Sequence, residues 1–289
     1  MERWPNFFIV GAPRSGTTSL WEYLKNTKGV YMSSIKEPNY FSVSVNSDLL
    51  ILRVIRDKKK YLELFKDVKD EIAIGEATPL YLWDPKAPKL IHDRIPKAKI
   101  IILLRDPIER AYSHFLKLAS YGTESHPLSE SIKKALKAPP DYSGRVVEGG
   151  LYYEQVKRYL DIFGKDLVRI YIYEEFIKDP RHYVKEMLEF LGVNEEPPSS
   201  VGEIHNPLRA PRGIIAAKIM QSESARKFGK KILPRSVGPA LKVIFGKKTD
   251  KSPMQLEARE LLEKIYKEDV KKLENLLGRS LPWDIAKKF

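Results

Sequence analysis

The stretch FFIVGAPRSGTTSLWEYL, residues 7–24, decides the fold of this chain. Its first four apolar residues predict a short buried strand, and the apolar spacing from Thr17 onward predicts a helix. Gly11 and Gly16 bound the loop between these two elements. The backbone N–H groups of such a loop and the positive end of the helix dipole attract anions. The stretch therefore predicts an anion-binding loop that joins a strand to a helix.

The loop departs from the nucleotide-binding pattern G-x-x-x-x-G-K-[ST] at one position. Gly11 and Gly16 have the required spacing, but Thr17 stands where the pattern has the lysine that contacts the β- and γ-phosphates. The side-chain donors of the loop and first helical turn are Arg14, Thr17, Thr18 and Ser19. We expect the loop to hold one compact anionic group rather than a magnesium nucleoside triphosphate. A structural glycine turn is the alternative, but it would leave this cluster of donors without a purpose.

Composition narrows the class of protein. The 289 residues, 43% hydrophobic and 31% charged, are typical of one large α/β domain. The formal net charge of +13 favours anionic partners such as nucleotides, sulfated or phosphorylated molecules, nucleic acid or a membrane surface. The absence of cysteine excludes disulfides and thiolate metal sites. The opening MERWPNFF lacks the apolar region of a signal peptide, and the apolar run at 100–104 is too short to span a bilayer. We therefore expect a cytoplasmic protein.

The apolar pattern predicts alternating strands and helices. Further strands are predicted at residues 30–33, 72–76, 99–104 and 167–173, and helices at 50–68, 85–95, 108–119, 152–163, 174–177, 180–191 and 253–277. Residues 100–104 are all apolar, as in a parallel strand that is covered on both faces. Asp106 suits the N-cap of the helix that follows, and Pro107 suits its first turn.

Arg105 is a candidate phosphate ligand because it directly follows the strand at 99–104. In an open parallel sheet, ligands bind at the edge formed by the carboxyl ends of the strands. Ser113 lies two turns into the following helix, at a spacing that allows it to share a ligand with Arg105. A simple ion pair between Arg105 and Asp106 or Glu109 is the alternative.

Four residues are candidates for a general base. Glu37 follows Lys36 and precedes two aromatic residues, where burial beside a cation can set the pKa of a carboxylate. An ordinary surface pair of Lys36 and Glu37 is an equally good interpretation of the same residues. Glu76 lies at the end of a predicted strand, and we slightly favour a role in orienting a neighbouring loop. His114 and His126 rank below Glu37, because an isolated histidine is more often structural.

The later part of the chain is less regular. Residues 122–150 contain several prolines and glycines, which favours a loop-rich excursion suited to acceptor binding. Arg212 and Gly213 lie in a proline-stiffened loop that suits an anion clamp, with a basic surface loop as the alternative. The basic segment at 230–251 is interpreted as a mobile subdomain or lid, and peripheral contact with a membrane is left open for it. We expect one domain over residues 1–289.

With these motifs in place, the chain resembles the nucleotide-dependent sulfotransferases. The matching segments are GAPRSGTTSL at 11–20, KEPNYF at 36–41, EATPLYL at 76–82, IILLRDPIERAYSHF at 101–115 and YKEDVKKLENLLGR at 266–279. The resemblance implies an α/β fold of three layers, P-loop-like, with a central parallel sheet flanked by helices. It also implies 3′-phosphoadenosine 5′-phosphosulfate (PAPS) as the sulfuryl donor, with adenosine 3′,5′-bisphosphate (PAP) as the product.

The same resemblance implies roles for individual residues. It assigns the 5′-phosphosulfate to Arg14, Ser15, Gly16, Thr17, Thr18 and Ser19, the 3′-phosphate to Arg105 and Ser113, and further nucleotide contacts to Arg212 and Gly213. Many members have lysine where this chain has Arg14, which keeps the charge but changes the geometry. The glycosaminoglycan-type branch uses a glutamate in the segment that matches KEPNYF, which points to Glu37. The phenol and steroid branch uses a histidine after the first region, and this chain has none before residue 92.

We therefore expect in-line transfer of a sulfuryl group to an acceptor hydroxyl or amine. Fixed cations and backbone donors can catalyse this reaction without a metal, with Glu37 as base and Arg14 stabilising charge. The first rival is a P-loop kinase, which predicts Mg²⁺-dependent binding of ATP. The second is a non-enzymatic protein that binds polyanions, although no nucleic-acid-binding motif supports it. The acceptor stays open among a polysaccharide, a glycolipid, a peptide tyrosine and a small natural product.

Overall fold

The computed structural model describes residues 2–44, 54–120, 126–137, 145–202, 209–211, 246–248 and 253–288. Its main sheet has five strands: β1 (Phe7–Gly11), β2 (Val30–Met32), β3 (Ala73–Ala77), β4 (Lys99–Leu104) and β5 (Val168–Ile172). The strand order is β2-β3-β1-β4-β5, and every pairing within this sheet is parallel. The strand that precedes the glycine-bounded loop therefore lies at the centre of the sheet.

The helices alternate with these strands along the chain. They are α1 (Thr17–Lys25), α2 (Lys58–Leu62), α3 (Ala87–Arg94), α4 (Pro107–Ser120), α5 (Leu128–Ala135), α6 (Arg145–Glu148), α7 (Tyr152–Phe163), α8 (Tyr173–Phe176), α9 (Pro180–Leu191) and α10 (Leu256–Leu277). Short 3₁₀ helices occur at Glu63–Phe65, Pro79–Tyr81 and Ala286–Lys288. Strands β6 (Arg209–Pro211) and β7 (Gly246–Lys248) form a separate antiparallel pair.

Both faces of the sheet are covered. On one face, α1 and α9 pack buried residues such as Leu20 and Leu188 into a core with Ile101 and Leu103 of β4. On the other face, the aromatic ring of Phe8 contacts those of Phe41 and Tyr81, and α7 reaches Tyr81 through the hydroxyl of Tyr159. Full burial on both sides explains why β4 is a continuous apolar run. The prediction of a P-loop-like, three-layer α/β fold is confirmed.

The helix ends follow the sequence signals. Asp106 Oδ1 accepts hydrogen bonds from the backbone N–H groups of Ile108 (2.8 Å) and Glu109 (3.2 Å), so it caps α4 as its position before Pro107 predicts. Gly192 ends α9 with φ +84°, the left-handed conformation that glycine adopts without strain. The cap at Asp106 fixes the start of α4 directly after Arg105.

Two predictions of secondary structure are wrong in part. Where a helix is predicted over 50–68, the described residues 54–57 are irregular and the helix α2 covers only Lys58–Leu62. The cluster of charges at 56–60 gives that region no continuous apolar stripe. The predicted excursion at 122–150 contains the regular helix α5, because Leu128 and Ile132 recur at helical spacing and are buried.

The chain divides into two compact units. The first comprises Met1–Arg110, Leu151–His205 and Tyr266–Phe289, and the second comprises Ala111–Gly150 and Asn206–Ile265. The expectation of one domain over 1–289 stays a prediction, and so does the lid at 230–251, which lies outside the described residues except at 246–248. Within the described ranges, no helix combines the length and the apolar character that crossing a membrane requires.

Candidate active site

The glycine-bounded loop follows the central strand and leads into α1. Two of its amides are used within the fold: Ala12 N–H donates to the carbonyl of Leu103 (2.7 Å), and Ser15 N–H donates to the carbonyl of Ala12 (3.3 Å). The hydrogen bonds within α1 begin with Leu20 N–H donating to the carbonyl of Gly16 (3.1 Å), so the N–H groups of the first turn precede them. They and the helix dipole give the loop its attraction for an anion.

Arg105 lies against this loop. Its Nη1 donates to the carbonyl of Arg14 (3.1 Å), so the end of β4 and the loop after β1 meet at the edge where both strands end. The ion pairs of Arg105 with Asp106 or Glu109 that the sequence left open are not among the ion pairs of the described residues. The structure thus brings two of the predicted anion-binding elements together.

Tyr173 is a residue of this site that the sequence analysis missed. The guanidinium carbon of Arg105 lies 4.9 Å from the centre of its ring. A Cβ at Gly16 would lie 2.9 Å from Cε2 of the same ring. One aromatic ring therefore packs against both the loop glycine and the arginine. Tyr173 directly follows β5. Ligands bind at the carboxyl ends of parallel strands, so the argument that identifies Arg105 as a candidate applies to Tyr173 as well.

Two buried polar atoms at this place lack a partner. Ser15 Oγ and Arg105 Nε are both buried, and neither has a hydrogen-bond partner among the described residues. A buried polar group without a partner costs free energy, so such groups in a native protein call for a ligand, a water or an ion. Arg14 adopts φ +72°, which is rare for a residue other than glycine and typical of functional sites. The donor set of guanidinium, hydroxyl and N–H groups fits an anion.

A network of buried contacts fixes the backbone around Arg105. The hydroxyl of Tyr152 donates to the carbonyl of Arg105 (2.9 Å). Glu174 accepts from Asp106 N–H (3.1 Å) with one carboxylate oxygen and from Trp283 Nε1 (3.0 Å) with the other. Burial is the main cause that raises the pKa of Asp106 to about 6, against the lowering effect of its two helix-capping bonds. Trp283, near the C-terminus, thus helps through Glu174 to hold the backbone next to Arg105.

Glu37 lies in a tightly held turn. Its backbone N–H donates to the carbonyl of Ala77 (3.0 Å), at the carboxyl end of β3. Its side chain is 42% exposed and one carboxylate oxygen is 2.5 Å from Lys36 Nζ, whose side chain is only 15% exposed. Glu37 and Asn39 both have positive φ, 59° and 55°, and such residues cost about 1–3 kcal/mol each unless the surroundings hold them. The exposed carboxylate therefore projects from a strained backbone that other residues must fix.

Glu76 is the centre of a fully buried polar cluster. Its Oε1 accepts from the hydroxyl of Thr78 (2.5 Å), and its Oε2 accepts from the hydroxyls of Tyr61 (2.7 Å) and Tyr81 (3.0 Å). Burial, only partly offset by these three hydrogen bonds, raises the pKa of Glu76 from 4.5 to about 7. With no exposed surface, Glu76 cannot take a proton from an acceptor without rearrangement of the cluster. The orienting role that the sequence analysis slightly favoured for Glu76 stays a prediction.

The other predicted site residues are placed as follows. Ser113 and His114 are buried on the part of α4 that belongs to the second unit, and the sharing of a ligand between Ser113 and Arg105 stays a prediction. His126 is exposed, with its Nε2 2.8 Å from Lys134 Nζ. Arg212 and Gly213 lie outside the described residues. Among the residues that the structure describes, no cluster of three histidine, aspartate or glutamate side chains could hold a metal ion.

A parallel sheet with a glycine-bounded loop after its central strand β1 and an arginine after the neighbouring strand β4 defines a P-loop-like α/β class of protein. Within that class the family is clear, because the model of the family described as "Sulfotransferase domain" matches residues 5–274. The chain belongs to the sulfotransferase family.

Individual relatives agree with this assignment. A sulfotransferase from Alicyclobacillus acidocaldarius, known from a crystal structure, is 30% identical, with a TM-score of 0.74 and coverage of 96% of this chain and 98% of that chain. Mouse carbohydrate sulfotransferase 15 is 27% identical over 245 residues, which are 65% of this chain and 44% of that protein. The chain thus spans less than half the length of that relative. Mouse sulfotransferase SULT7A1, solved in complex with PAP, shares the fold at 18% identity, with a TM-score of 0.53 over 99% of this chain and 88% of that chain.

Proposed function

We propose that this chain is a sulfotransferase that moves a sulfuryl group from PAPS to a hydroxyl or amine of an acceptor, with a carbohydrate as the favoured class of acceptor. The observation that carries the proposal is the hydrogen bond from Arg105 to the carbonyl of Arg14, which unites the two anion-binding elements. Membership of the sulfotransferase family supports the reaction. PAP in the mouse protein of the same fold supports the donor, and the name of carbohydrate sulfotransferase 15 supports the acceptor class.

The donor would bind through its two phosphate ends. The loop of Ser15 and Gly16, the side chain of Arg14 and the first turn of α1 would hold the 5′-phosphosulfate. Arg105, packed on Tyr173, would hold the 3′-phosphate, with Ser113 and the Arg212–Gly213 loop as further proposed contacts. Since the fold has Thr17 in place of the lysine of nucleoside-triphosphate enzymes, the site suits a donor that needs no magnesium bridge. The absence of a metal requirement is part of this proposal.

Glu37 is the proposed general base. Its carboxylate would take the proton of the acceptor hydroxyl as that oxygen forms a bond to sulfur. The bond between sulfur and the bridging oxygen of the 5′-phosphate would break, and PAP would leave with the electron pair. Arg14 and the N–H groups of the loop would stabilise the charge that develops on the sulfuryl group and the leaving phosphate. Lys36 Nζ forms an ion pair with the carboxylate of Glu37 (2.5 Å), which places a fixed cation beside the proposed base.

The location of the protein is proposed from its sequence alone. A cytoplasmic location is the proposal. We expect no nucleic-acid partner.

Calorimetric titration with PAP, without added metal, tests the donor site. We expect binding in the micromolar range or tighter, and its loss in Arg105→Ala. Arg169→Ala is the matched control, because it removes the same charge from a guanidinium that binds the carbonyl of Lys165. Binding of magnesium ATP without any response to PAP would overturn the proposal and favour a kinase.

A further inference from the structure

A series of hydrogen bonds, called the relay below, holds residues 37–41, the segment that carries Glu37. The hydroxyl of Tyr81 accepts a hydrogen bond from the backbone N–H of Phe41 (3.2 Å), and Thr78 Oγ1 accepts one from the backbone N–H of Asn39 (3.4 Å). The side-chain amide of Asn39 in turn donates to the carbonyl of Glu37 (2.9 Å). The backbone that follows the proposed base, at Asn39 and Phe41, is therefore tied to two hydroxyl groups.

The direction of these hydrogen bonds is set by Glu76. A hydroxyl has one hydrogen to donate and lone pairs with which to accept. Because Thr78 and Tyr81 both donate their hydrogen to the Glu76 carboxylate, their lone pairs are left to face the N–H groups of Asn39 and Phe41. A neutral amide in place of the carboxylate would donate a hydrogen bond to one of the two hydroxyls. That hydroxyl would then have to accept from the amide, and its own hydrogen would point away from residue 76. The carboxylate thus imposes one arrangement on the relay.

We propose that Glu76 is a positioning residue for the transfer reaction, which fixes the turn of Glu37 through the hydroxyls of Thr78 and Tyr81. The proposal rests on the proposed function, because it takes Glu37 as the base. Such support is required because Glu37 and Asn39 have positive φ values, and a turn of this kind persists only where its surroundings hold it. Glu76 itself is fully buried and does not touch the acceptor.

The cluster contains its own matched control. Tyr61 and Tyr81 are both fully buried, and both donate a phenolic hydroxyl to Glu76 Oε2. Only the hydroxyl of Tyr81 also accepts from the segment, at Phe41. Tyr61 contacts the segment through its ring, which stacks on Tyr40 with centroids 4.1 Å apart and lies edge-on to Phe41 with centroids 5.8 Å apart, and phenylalanine keeps both contacts. Tyr61→Phe and Tyr81→Phe therefore remove the same kind of hydrogen bond and differ in the link to the turn.

The test measures kcat and KM for PAPS by the formation of PAP at pH 9, where the carboxylate of Glu76 is ionised in the protein and in its hydroxyl variants. The acceptor is whichever of chemically desulfated chondroitin, chemically desulfated heparan and 4-nitrophenol gives the highest rate. If none of them reacts, the rate measured is the hydrolysis of PAPS by water. We expect Tyr81→Phe and Glu76→Gln to lower kcat by about tenfold or more, since a shift of about 1 Å in a reacting group can cost about 100-fold. KM for PAPS and calorimetric binding of PAP should stay within about twofold. Tyr61→Phe should keep kcat within about threefold of the unsubstituted protein.

A double-mutant cycle separates positioning from general loosening of the fold. In a Glu37→Gln background, adding Tyr81→Phe should change the residual rate by less than about threefold, because the group that it positions is already gone. Equal losses in Tyr61→Phe and Tyr81→Phe, or additive losses in the cycle, would overturn the positioning role. A Glu37→Gln protein with near-normal kcat would instead overturn the base assignment in the proposed function, and the positioning proposal with it. The two failures are therefore distinguished by the Glu37→Gln variant alone.

Discussion

Replacing Glu76 by glutamine should change how the free energy of unfolding depends on pH. Burial raises the pKa of Glu76 from an ordinary value of 4.5 to about 7, so the folded protein holds this proton more tightly than the unfolded chain does. The protonated carboxyl therefore stabilises the fold fully below pH 4.5, and this contribution is lost as the pH rises through 7. The difference between the two pKa values corresponds to about 3 kcal/mol.

The assay is urea unfolding of the protein and of Glu76→Gln at several pH values between 5 and 8.5. Asp106 and Asp269 also have raised pKa values, but they are present in both proteins and cancel in the difference. Relative to the unsubstituted protein, the free energy of unfolding of Glu76→Gln should rise by about 2.5 kcal/mol between pH 5 and pH 8.5, because part of the effect is already lost at pH 5. Tyr61→Phe is a useful control: it removes a hydrogen bond that lowers the pKa of Glu76, so the pH dependence should persist and move to higher pH.

The reasoning would be refuted by a difference in unfolding free energy that stays constant, within about 0.5 kcal/mol, across this pH range. Such a result would mean that Glu76 titrates near its ordinary value and that the cluster is open to water. The same result would contradict the description of the Glu76 carboxyl as fully buried.

Three further predictions concern the donor loop, the metal requirement and the core. Gly16→Ala should weaken PAP binding about tenfold, because φ at this residue is +85° and the new Cβ would press on the ring of Tyr173. Gly164→Ala is the control, because its φ of +76° gives a similar backbone cost of about 1–3 kcal/mol while the space around it is open. The PAP affinity of Gly164→Ala, measured by calorimetry, should be unchanged. Treatment with EDTA should leave the rate of PAP formation within about twofold, since cations and N–H groups of the protein stabilise the transferred group; a loss restored by Mg²⁺ would contradict this. Leu188→Ala should lower the free energy of unfolding by about 2–5 kcal/mol in urea, because the side chain is fully buried in the core cluster, and a loss below about 1 kcal/mol would be inconsistent with that packing.

The sheet and its ligand edge could be predicted from sequence because the signals there are local. A run such as 100–104, apolar at every position, belongs to a strand covered on both faces, and Asp106 before Pro107 marks the helix that follows. Once the strands are placed, the residues at their carboxyl ends meet at one edge. The position of Arg105 directly after a buried strand therefore predicts that it lies at the ligand edge. The resemblance to the sulfotransferases rests on several motifs that occur in the same order along the chain.

The arrangement around Glu37 could not be predicted, because its parts are far apart in the chain. Tyr61 and Tyr81 lie on opposite sides of Glu76 in sequence, and only the packing of the aromatic face of the sheet brings their hydroxyls to one carboxylate. The strain at Glu37 was equally hidden, since Pro38 predicts an extended residue or a turn before it but not a positive φ. The partial failure at 50–68 has a related cause: charges interrupt the apolar spacing, and tertiary contacts of Tyr61 decide where the short helix lies.

The most direct test of the central claim is transfer of sulfur from ³⁵S-labelled PAPS by the purified protein, compared with transfer by Glu37→Gln. We expect the unsubstituted protein to label one of the acceptors described above. Glu37→Gln should be slower by about 100-fold or more, the usual contribution of a general base, while PAP binds both proteins equally. Equal rates of labelling in the two proteins would contradict the role of Glu37, and transfer of phosphate from ATP without transfer of sulfur from PAPS would contradict the account as a whole.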